Sequence, residues 1–225
     1  MSEALPDAWL ARDPLPADPV PIVKRWLDEA FAAGSQPNPH AVALATIDPD
    51  GRPSARMVLC NAIDASRGAF VMYTNVESRK GRALAAHPRA AIVFYWPPTG
   101  RQARVEGAIE RTPEAECDAY FATRPVEAQL SAWASAQSEA VVSRDALVAQ
   151  LRQQERRFGV ESGRPAPTPI PRPPHWGGFT LVADCIELWV SRLGRLHDRG
   201  VWTRAPGAGS ASPARAPWSV QRLQP

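Results

Sequence analysis

Ser78-Arg79-Lys80-Gly81-Arg82 sets three cations where a strand pattern gives way to a helix pattern. Cations at a helix N-terminus oppose the positive end of its dipole and repel one another, so a bound anion would relieve both effects. The plain alternative is a solvated basic turn. Arg56 tilts the balance, because it interrupts an otherwise apolar strand pattern with Met57, Val58 and Leu59. Lys80 is one of only two lysines, the other being Lys24. Arg56, Arg79 and Lys80 together could form a phosphate clamp.

Other chemistries leave no mark. There is no Gly-x-Gly-x-x-Gly after a strand, no Walker-type loop, no Gly-x-Ser-x-Gly elbow and no His-Glu-x-x-His. Cys60, Cys117 and Cys185 are scattered, without Cys-x-x-Cys spacing, and His40, His87, His175 and His197 are equally dispersed. Neither a disulfide framework nor a metal site is expected. The net charge of +3 and pI near 9.0 rest almost wholly on arginine, with no run of five or six basic residues. No nucleic-acid surface is read from it. No stretch has the length of a membrane span and the N-terminus has no signal-like apolar core, so a cytoplasmic protein is expected.

The elements that must position the clamp follow from spacing. Residues 1–18 lack periodicity and read as a mobile or surface-draped arm. Asp18-Pro19 opens an amphipathic helix through Ile22, Val23, Trp26, Leu27, Ala30 and Phe31, closed by Gly34. AVALATID, a Pro-Asp-Gly turn and RPSARMVLCN read as a hairpin, and GAFVMYTN as a further strand. SRKGRALAAH is a short helix ended by Pro88, followed by the strands RAAIVFYW and RQARVEGAIER. Thr112-Pro113-Glu114 opens a helix that stops at Arg124-Pro125, and Ser143 caps a charged helix to about Phe158. ESGRPAPTPIPRPP is an extended connector. GFTLVA, CIELWVS, LHDRGVWTR and WSVQRL read as closing strands, with a disordered loop APGAGSASPARAP between the last two. Many short strands with few helices indicate an antiparallel barrel.

The motif order carries a resemblance. Pro-Ser-Ala-Arg-Met-Val-Leu, Tyr73-Thr74-Asn75, Ser78-Arg79-Lys80-Gly81 and Arg101-Gln102-x-Arg104-x-Glu106-Gly107 come first. Tyr120-Phe121-x-x-Arg124-Pro125, Ala132-Trp133-Ala134-Ser135-x-Gln137-Ser138 and Pro173-Pro174-x-Trp176-Gly177-Gly178 follow. Ile186-Glu187-Leu188-Trp189, Arg195-Leu196-His197-Asp198-Arg199 and the terminal Arg222-Leu223-Gln224-Pro225 complete the series. In this order the chain resembles the pyridoxamine/pyridoxine 5'-phosphate oxidase family from about residue 13 to its end.

That resemblance implies an α+β fold: a homodimeric, antiparallel, FMN-binding split β-barrel with flanking helices. Residues 19–225 would form the oxidase domain, and its segment 173–225 would serve dimerisation and substrate binding. The FMN site would comprise Arg56, Met57, Val58, Leu59, Asn61, Tyr73, Thr74, Arg79, Lys80 and Gln102, completed by Gln137, Ser138, Trp189 and Arg199. Both subunits would build each site. Tyr120 and Arg124 would bind the substrate phosphate, and Arg195 and His197 would hold the substrate over the flavin as the catalytic pair. The family's strand lysine is Asn61 here, its serine after the Arg-Pro turn is Ala128, and a nearby arginine is Val126.

The activity implied is hydride transfer to FMN and then to dioxygen, giving hydrogen peroxide, with pyridoxine or pyridoxamine 5'-phosphate converted to pyridoxal 5'-phosphate. FMN is expected rather than FAD because the clamp is compact and no adenine-binding motif is visible. One alternative is a specialised-metabolite oxidase like the phenazine-biosynthesis flavin oxidases, which also lack the strand lysine. Another is a non-catalytic flavin- or pyridoxal-phosphate-binding protein.

Overall fold

A computed structural model describes Asp7 and residues 9–160, 166–205 and 216–225. The expected arm from 1 to 6, part of the proline-rich connector and most of the 205–217 loop lie outside the described residues.

Helix α1 (Val20–Ala33) buries Val20, Ile22, Val23, Trp26, Leu27 and Ala30 along one stripe. Asp18 supplies the cap, its Oδ1 accepting the Val20 N–H at 2.9 Å, and Gly34 ends the helix at φ 61°. Strands β1 (Ala41–Ile47) and β2 (Pro53–Leu59) form the expected hairpin, registered from Ala41 opposite Leu59 to Ile47 opposite Pro53. Then come β3 (Ala62–Asp64), β4 (Ala69–Asn75), helix α2 (Arg79–Ala86), β5 (Arg89–Trp96) and β6 (Arg101–Arg111). Helices α3 (Glu114–Ala122), α4 (Val126–Ala134) and α5 (Arg144–Phe158) precede β7 (Trp176–Val190), β8 (Asp198–Thr203) and β9 (Ser219–Arg222). The strands pair antiparallel in the order β2-β1-β5-β6-β7-β4-β3, with β8 and β9 added beyond β7.

This is the α+β split barrel expected. Its main core gathers Trp26, Phe70, Phe94, Trp96 and Trp202, all fully buried, with Trp26 edge-on to Trp96 at 6.1 Å. A second, smaller core forms around Phe121, Leu130, Ile170 and Trp176 and carries α3 and α4.

Three local readings are corrected. GFTLVA and CIELWVS are one 15-residue strand, β7, because Asp184 sits in a β-bulge where the β6 register steps from Cys185 to Ala183. The bulge turns Asp184 toward Arg89, 2.8 Å away, so a polar residue that reads as a break is only a bend. Pro125 does more than end α3; it starts α4, where its missing N–H costs nothing. The described part of the N-terminal arm is anchored. Leu10 is fully buried, Asp7 pairs with the buried Arg101 at 2.6 Å, and Arg222 Nη1 donates to the Leu10 carbonyl at 2.6 Å. Aperiodic sequence here reflects many separate tertiary contacts, not looseness.

One face of the β2-β1-β5 region stays open. Residues paired across strands point the same way, so Met57, Leu59, Ile47 and Tyr95 form a common apolar surface, exposed by 64, 42, 41 and 51 % respectively.

Candidate active site

The clamp residues assemble where the hairpin turn meets the start of α2. Ser78 caps that helix: its Oγ accepts the Gly81 N–H at 3.4 Å and donates to the Asn75 carbonyl at 2.6 Å. Lys80 folds back so that Nζ donates to Ser78 Oγ at 2.9 Å and also to Gln137 Oε1. Thr74 donates to the same Gln137 oxygen at 3.3 Å. Arg56 lies across the hairpin, its Nη1 donating to Thr46 Oγ1 at 2.8 Å and to the Leu44 carbonyl at 3.2 Å. Arg79 Nε donates to Asp48 Oδ2 at 3.0 Å, and Ser54 donates to Asp48 Oδ1 at 3.1 Å.

Charge in this cluster is unbalanced. Arg56, Arg79 and Lys80 have one carboxylate among them in direct contact, Asp48, while Asp50 acts on Arg79 from farther off and is itself paired with Arg52 at 3.5 Å; the contact groups thus carry a surplus of two positive charges, the charge of a phosphate monoester dianion. Lys80 touches only neutral oxygens there. Burial, with Arg56 adding repulsion, pulls its ammonium down to about 8. Burial also lowers Arg56, while Arg79 holds the Asp48 carboxyl below the ordinary carboxylate range. Asp48 raises Arg79 in turn, so the two cations without a carboxylate in contact, Arg56 and Lys80, are the ones an added anion would stabilise most.

A second group forms beside it on β4 and α3. Tyr73, Tyr120 and Trp176 hold near-parallel rings, Tyr73 and Tyr120 centred 4.1 Å apart and Tyr73 and Trp176 5.5 Å apart. The Arg124 guanidinium lies 4.9 Å over Trp176, and its buried Nη1 has no hydrogen-bond partner among the described residues. Asn61 accepts the Tyr73 N–H at 3.3 Å and donates to the Tyr120 hydroxyl at 2.7 Å. Asn61 and Tyr120 line a cleft of about 450 Å³ that runs along α1 past His40.

The third group stands elsewhere. Gln102 is registered opposite Trp189, and Trp189 opposite Arg199. The rings of Trp189 and His197 are 4.6 Å apart, and His197 Nδ1 accepts the Arg192 N–H at 3.1 Å. Arg199 pairs at 2.7 Å with the buried Glu187, which also takes Arg104 at 2.8 Å. Arg195 is exposed at φ 63°, directly after Gly194 at φ 67°.

The long strand explains the division. Tyr73 and Thr74 pair with Gly178 and Gly177 at one end of β7, whereas Gln102 pairs with Trp189 at the other. Twelve positions of extended chain separate Gly177 from Trp189, about 40 Å along the strand. One chain therefore brings Arg56, Thr74, Arg79, Lys80 and Gln137 together, with Asn61, Tyr73, Tyr120 and Arg124 grouped beside Trp176. It holds Gln102, Trp189, Arg195, His197 and Arg199 apart from both. Ser138 follows Gln137 at φ 77° and is exposed. The run from Arg56 to Leu59 is split by strand alternation, with Arg56 and Val58 half-buried on one side and Met57 and Leu59 exposed on the other.

Sequence reading missed Asp48, Ser78, Trp176 and Glu187 as partners of these groups. Asp48 was hidden at the end of a strand beside a turn signature and Glu187 in an apolar strand; helix docking brings Arg79 to Asp48, and cross-strand register sets Arg104 and Arg199 against Glu187. Among the described residues, no group of three His, Cys, Asp or Glu stands close enough to hold a metal ion, and no helix is long and apolar enough to cross a membrane.

Comparison with known proteins agrees with this architecture. Residues 27–156 match the family model of pyridoxamine 5'-phosphate oxidase, and residues 176–225 match that of the pyridoxine 5'-phosphate oxidase C-terminal dimerisation region. The chain is 49 % identical over 208 residues to a pyridoxine/pyridoxamine 5'-phosphate oxidase of Burkholderia lata, covering 92 % of this chain and 89 % of that protein. It is 46 % identical over 216 residues to the Cupriavidus taiwanensis protein of the same name, covering 96 % and 93 %. A crystal structure of PhzG from Burkholderia lata, in complex with tetrahydrophenazine-1-carboxylic acid, superposes with TM-score 0.79 at 34 % identity, covering 95 % of both chains. An FMN-binding protein from Nostoc punctiforme shares the fold, with TM-score 0.69 at 17 % identity over 93 % of this chain and 99 % of that one. With both family models matched in order across the barrel and the closing strands, the chain belongs to the pyridoxamine 5'-phosphate oxidase family.

Proposed function

We propose that this protein is an FMN-dependent oxidase acting on pyridoxine or pyridoxamine 5'-phosphate as a homodimer. The observation that carries the reading is the surplus of two positive charges formed by Arg56, Arg79 and Lys80 against Asp48. It fits the terminal phosphate of FMN in charge and in donor type. Bound FMN would supply the acceptor for a hydride, handing the electrons on to dioxygen to give hydrogen peroxide.

The chain's own residues have separable tasks. Arg56, Arg79 and Lys80 would hold the cofactor phosphate, with Gln137 and Thr74 fixing the Lys80 side of the cradle. Tyr120 and Arg124 would bind the anionic end of the substrate; the orphaned Arg124 Nη1 is a buried donor awaiting an acceptor. Gln102, Trp189 and Arg199, with the catalytic pair Arg195 and His197, would come from the second copy of the chain, because β7 holds them too far from the clamp. Met57, Leu59, Ile47 and Tyr95 give an apolar face for that copy to cover.

Identity with the two oxidases of this name, 49 % and 46 %, supports the vitamin substrate over the phenazine reading. The second reading, a specialised-metabolite oxidase, draws on Asn61, whose amide is occupied by Tyr73 and Tyr120 where the family resemblance expects a lysine free for phosphate. The deciding experiment is turnover of FMN-loaded protein on pyridoxine 5'-phosphate, followed by pyridoxal 5'-phosphate absorbance and peroxide release. Flavin binding with no turnover of either vitamin phosphate would leave the second reading standing.

A further inference from the structure

Asn61 joins three elements at one point. It follows β2, its side-chain oxygen accepts the backbone N–H of Tyr73 on β4, and its nitrogen donates to the hydroxyl of Tyr120 on α3. The backbone contact fixes the amide's sense. A backbone N–H can only donate, so the oxygen must face Tyr73 and the nitrogen must face Tyr120. The phenol oxygen is therefore an acceptor toward Asn61, and its own proton is not consumed by that bond.

Ring stacking leaves the phenol little freedom. Tyr120 lies 4.1 Å from Tyr73, with planes 9° apart, and Trp176 is parallel to both. The hydroxyl can thus change its partner only by rotating its hydrogen. Beside it the Arg124 guanidinium also lies on Trp176, with Nη1 buried and without a hydrogen-bond partner among the described residues. Tyr120 and Asn61 both line the 450 Å³ cleft, a volume suited to a small ligand.

We propose that Asn61 is a positioning residue: by donating to Tyr120 it forces the phenol proton outward, as a second donor beside Arg124 for an anionic group of the substrate. In this role Asn61 acts through Tyr120, with one lone pair and one N–H of its amide engaged inside the chain. The proposal rests on the oxidase reading for the identity of the substrate, but not for the anion.

The test uses the FMN-loaded protein. It reads kcat and KM for pyridoxine 5'-phosphate, the dissociation constant of inorganic phosphate from perturbation of flavin absorbance, and the FMN affinity. Asn61→Asp keeps the size and the acceptor for Tyr73, but turns the donor toward Tyr120 into an acceptor, so the phenol must donate inward. KM and the phosphate constant should each rise about tenfold, the scale of one hydrogen bond to a charged group, with kcat and FMN affinity unchanged. A carboxylate also repels anions directly, and the Tyr120→Phe background separates the two effects. There, Asn61→Asp should add nothing to the loss from Tyr120→Phe; a further loss of similar size overturns the proposal, because repulsion needs no hydroxyl. Should Asn61→Asp fail to fold, Tyr120→Phe alone decides, and an unchanged phosphate constant overturns it. Failure of the wild type to bind phosphate overturns it as well. If phosphate binds with this dependence on Asn61 but pyridoxine 5'-phosphate is not turned over, the proposal stands and the vitamin-oxidase reading fails.

Discussion

Arg79 reaches Asp48 through Nε at 3.0 Å, and Nη2 closes on the same carboxylate oxygen. Both donors converge on Oδ2, so the guanidinium is oriented but not used up. Its side chain is 62 % exposed, against 8 % for Asp48.

On the proposed FMN site Asp48 would therefore act in cofactor binding through Arg79, without touching the cofactor. In Asp48→Asn an extra positive charge favours an anion, but Arg79 loses its anchor and regains rotamer freedom. The anion would meet Arg79 on its solvent-exposed side, where Coulomb effects are screened and small, so the loss of orientation should win. FMN affinity in a fluorescence titration should fall severalfold, and its salt dependence should steepen. Tighter binding at low salt would show instead that Asp48 competes for the arginine.

Lys80 makes binding depend on pH. Its ammonium, lowered to about 8 by burial and by Arg56, is partly neutral in the free protein above that pH, and a bound phosphate would hold it charged. FMN affinity should be greatest near pH 7, weaken below about pH 6 as the phosphate monoester takes up its second proton, and decline between pH 8 and 10, with a proton taken up on binding near pH 8.5. Calorimetry in buffers of different ionisation enthalpy measures that proton. Stability of the cofactor-free protein should move the other way in this window. The unfolded chain binds more protons there than the native one, so stability rises as pH climbs from about 8 toward the ordinary lysine value. Lys80→Met should remove both dependences and cost FMN binding roughly 1.5–3 kcal/mol.

Two chains per site can be tested by complementation. Co-expressing Lys80→Met with Arg199→Ala, each deficient alone, should give heterodimers in which one site receives both defects and the other neither. Such heterodimers should hold about one FMN per two chains at saturation. No recovery of flavin over the parent variants would place the Lys80 cluster and Arg199 in a single chain's site, against the separation along β7.

Leu10 gives a stability test of the arm. It is fully buried in the main core, so Leu10→Ala should lower unfolding free energy by about 2–4 kcal/mol in denaturant titration. A change below about 0.5 kcal/mol would mean that the arm packs loosely in solution.

Sequence alone determined most strands and helices from local patterning, though not α4 or the continuity of β7. Ile22, Val23, Trp26 and Ala30 recur with the helical period, Pro-Asp-Gly makes the first turn, and Gly34 needs a left-handed backbone. It also marked Arg79 and Lys80, because cations crowded with Arg82 at one helix start are costly enough to stand out, and Arg56, because it interrupts an apolar strand pattern. Tertiary structure decided what local chemistry does not encode. Asp48 meets Arg79 across 31 positions, Asn61 meets Tyr120 across 59, and Gln137 meets Lys80 across 57, each through strand register and helix docking. It also set Trp189 and Arg199 at the far end of β7 from the clamp. The physical reason is that an extended strand fixes distance: twelve residues of β7 hold apart two groups that the motif order alone would let meet in one chain.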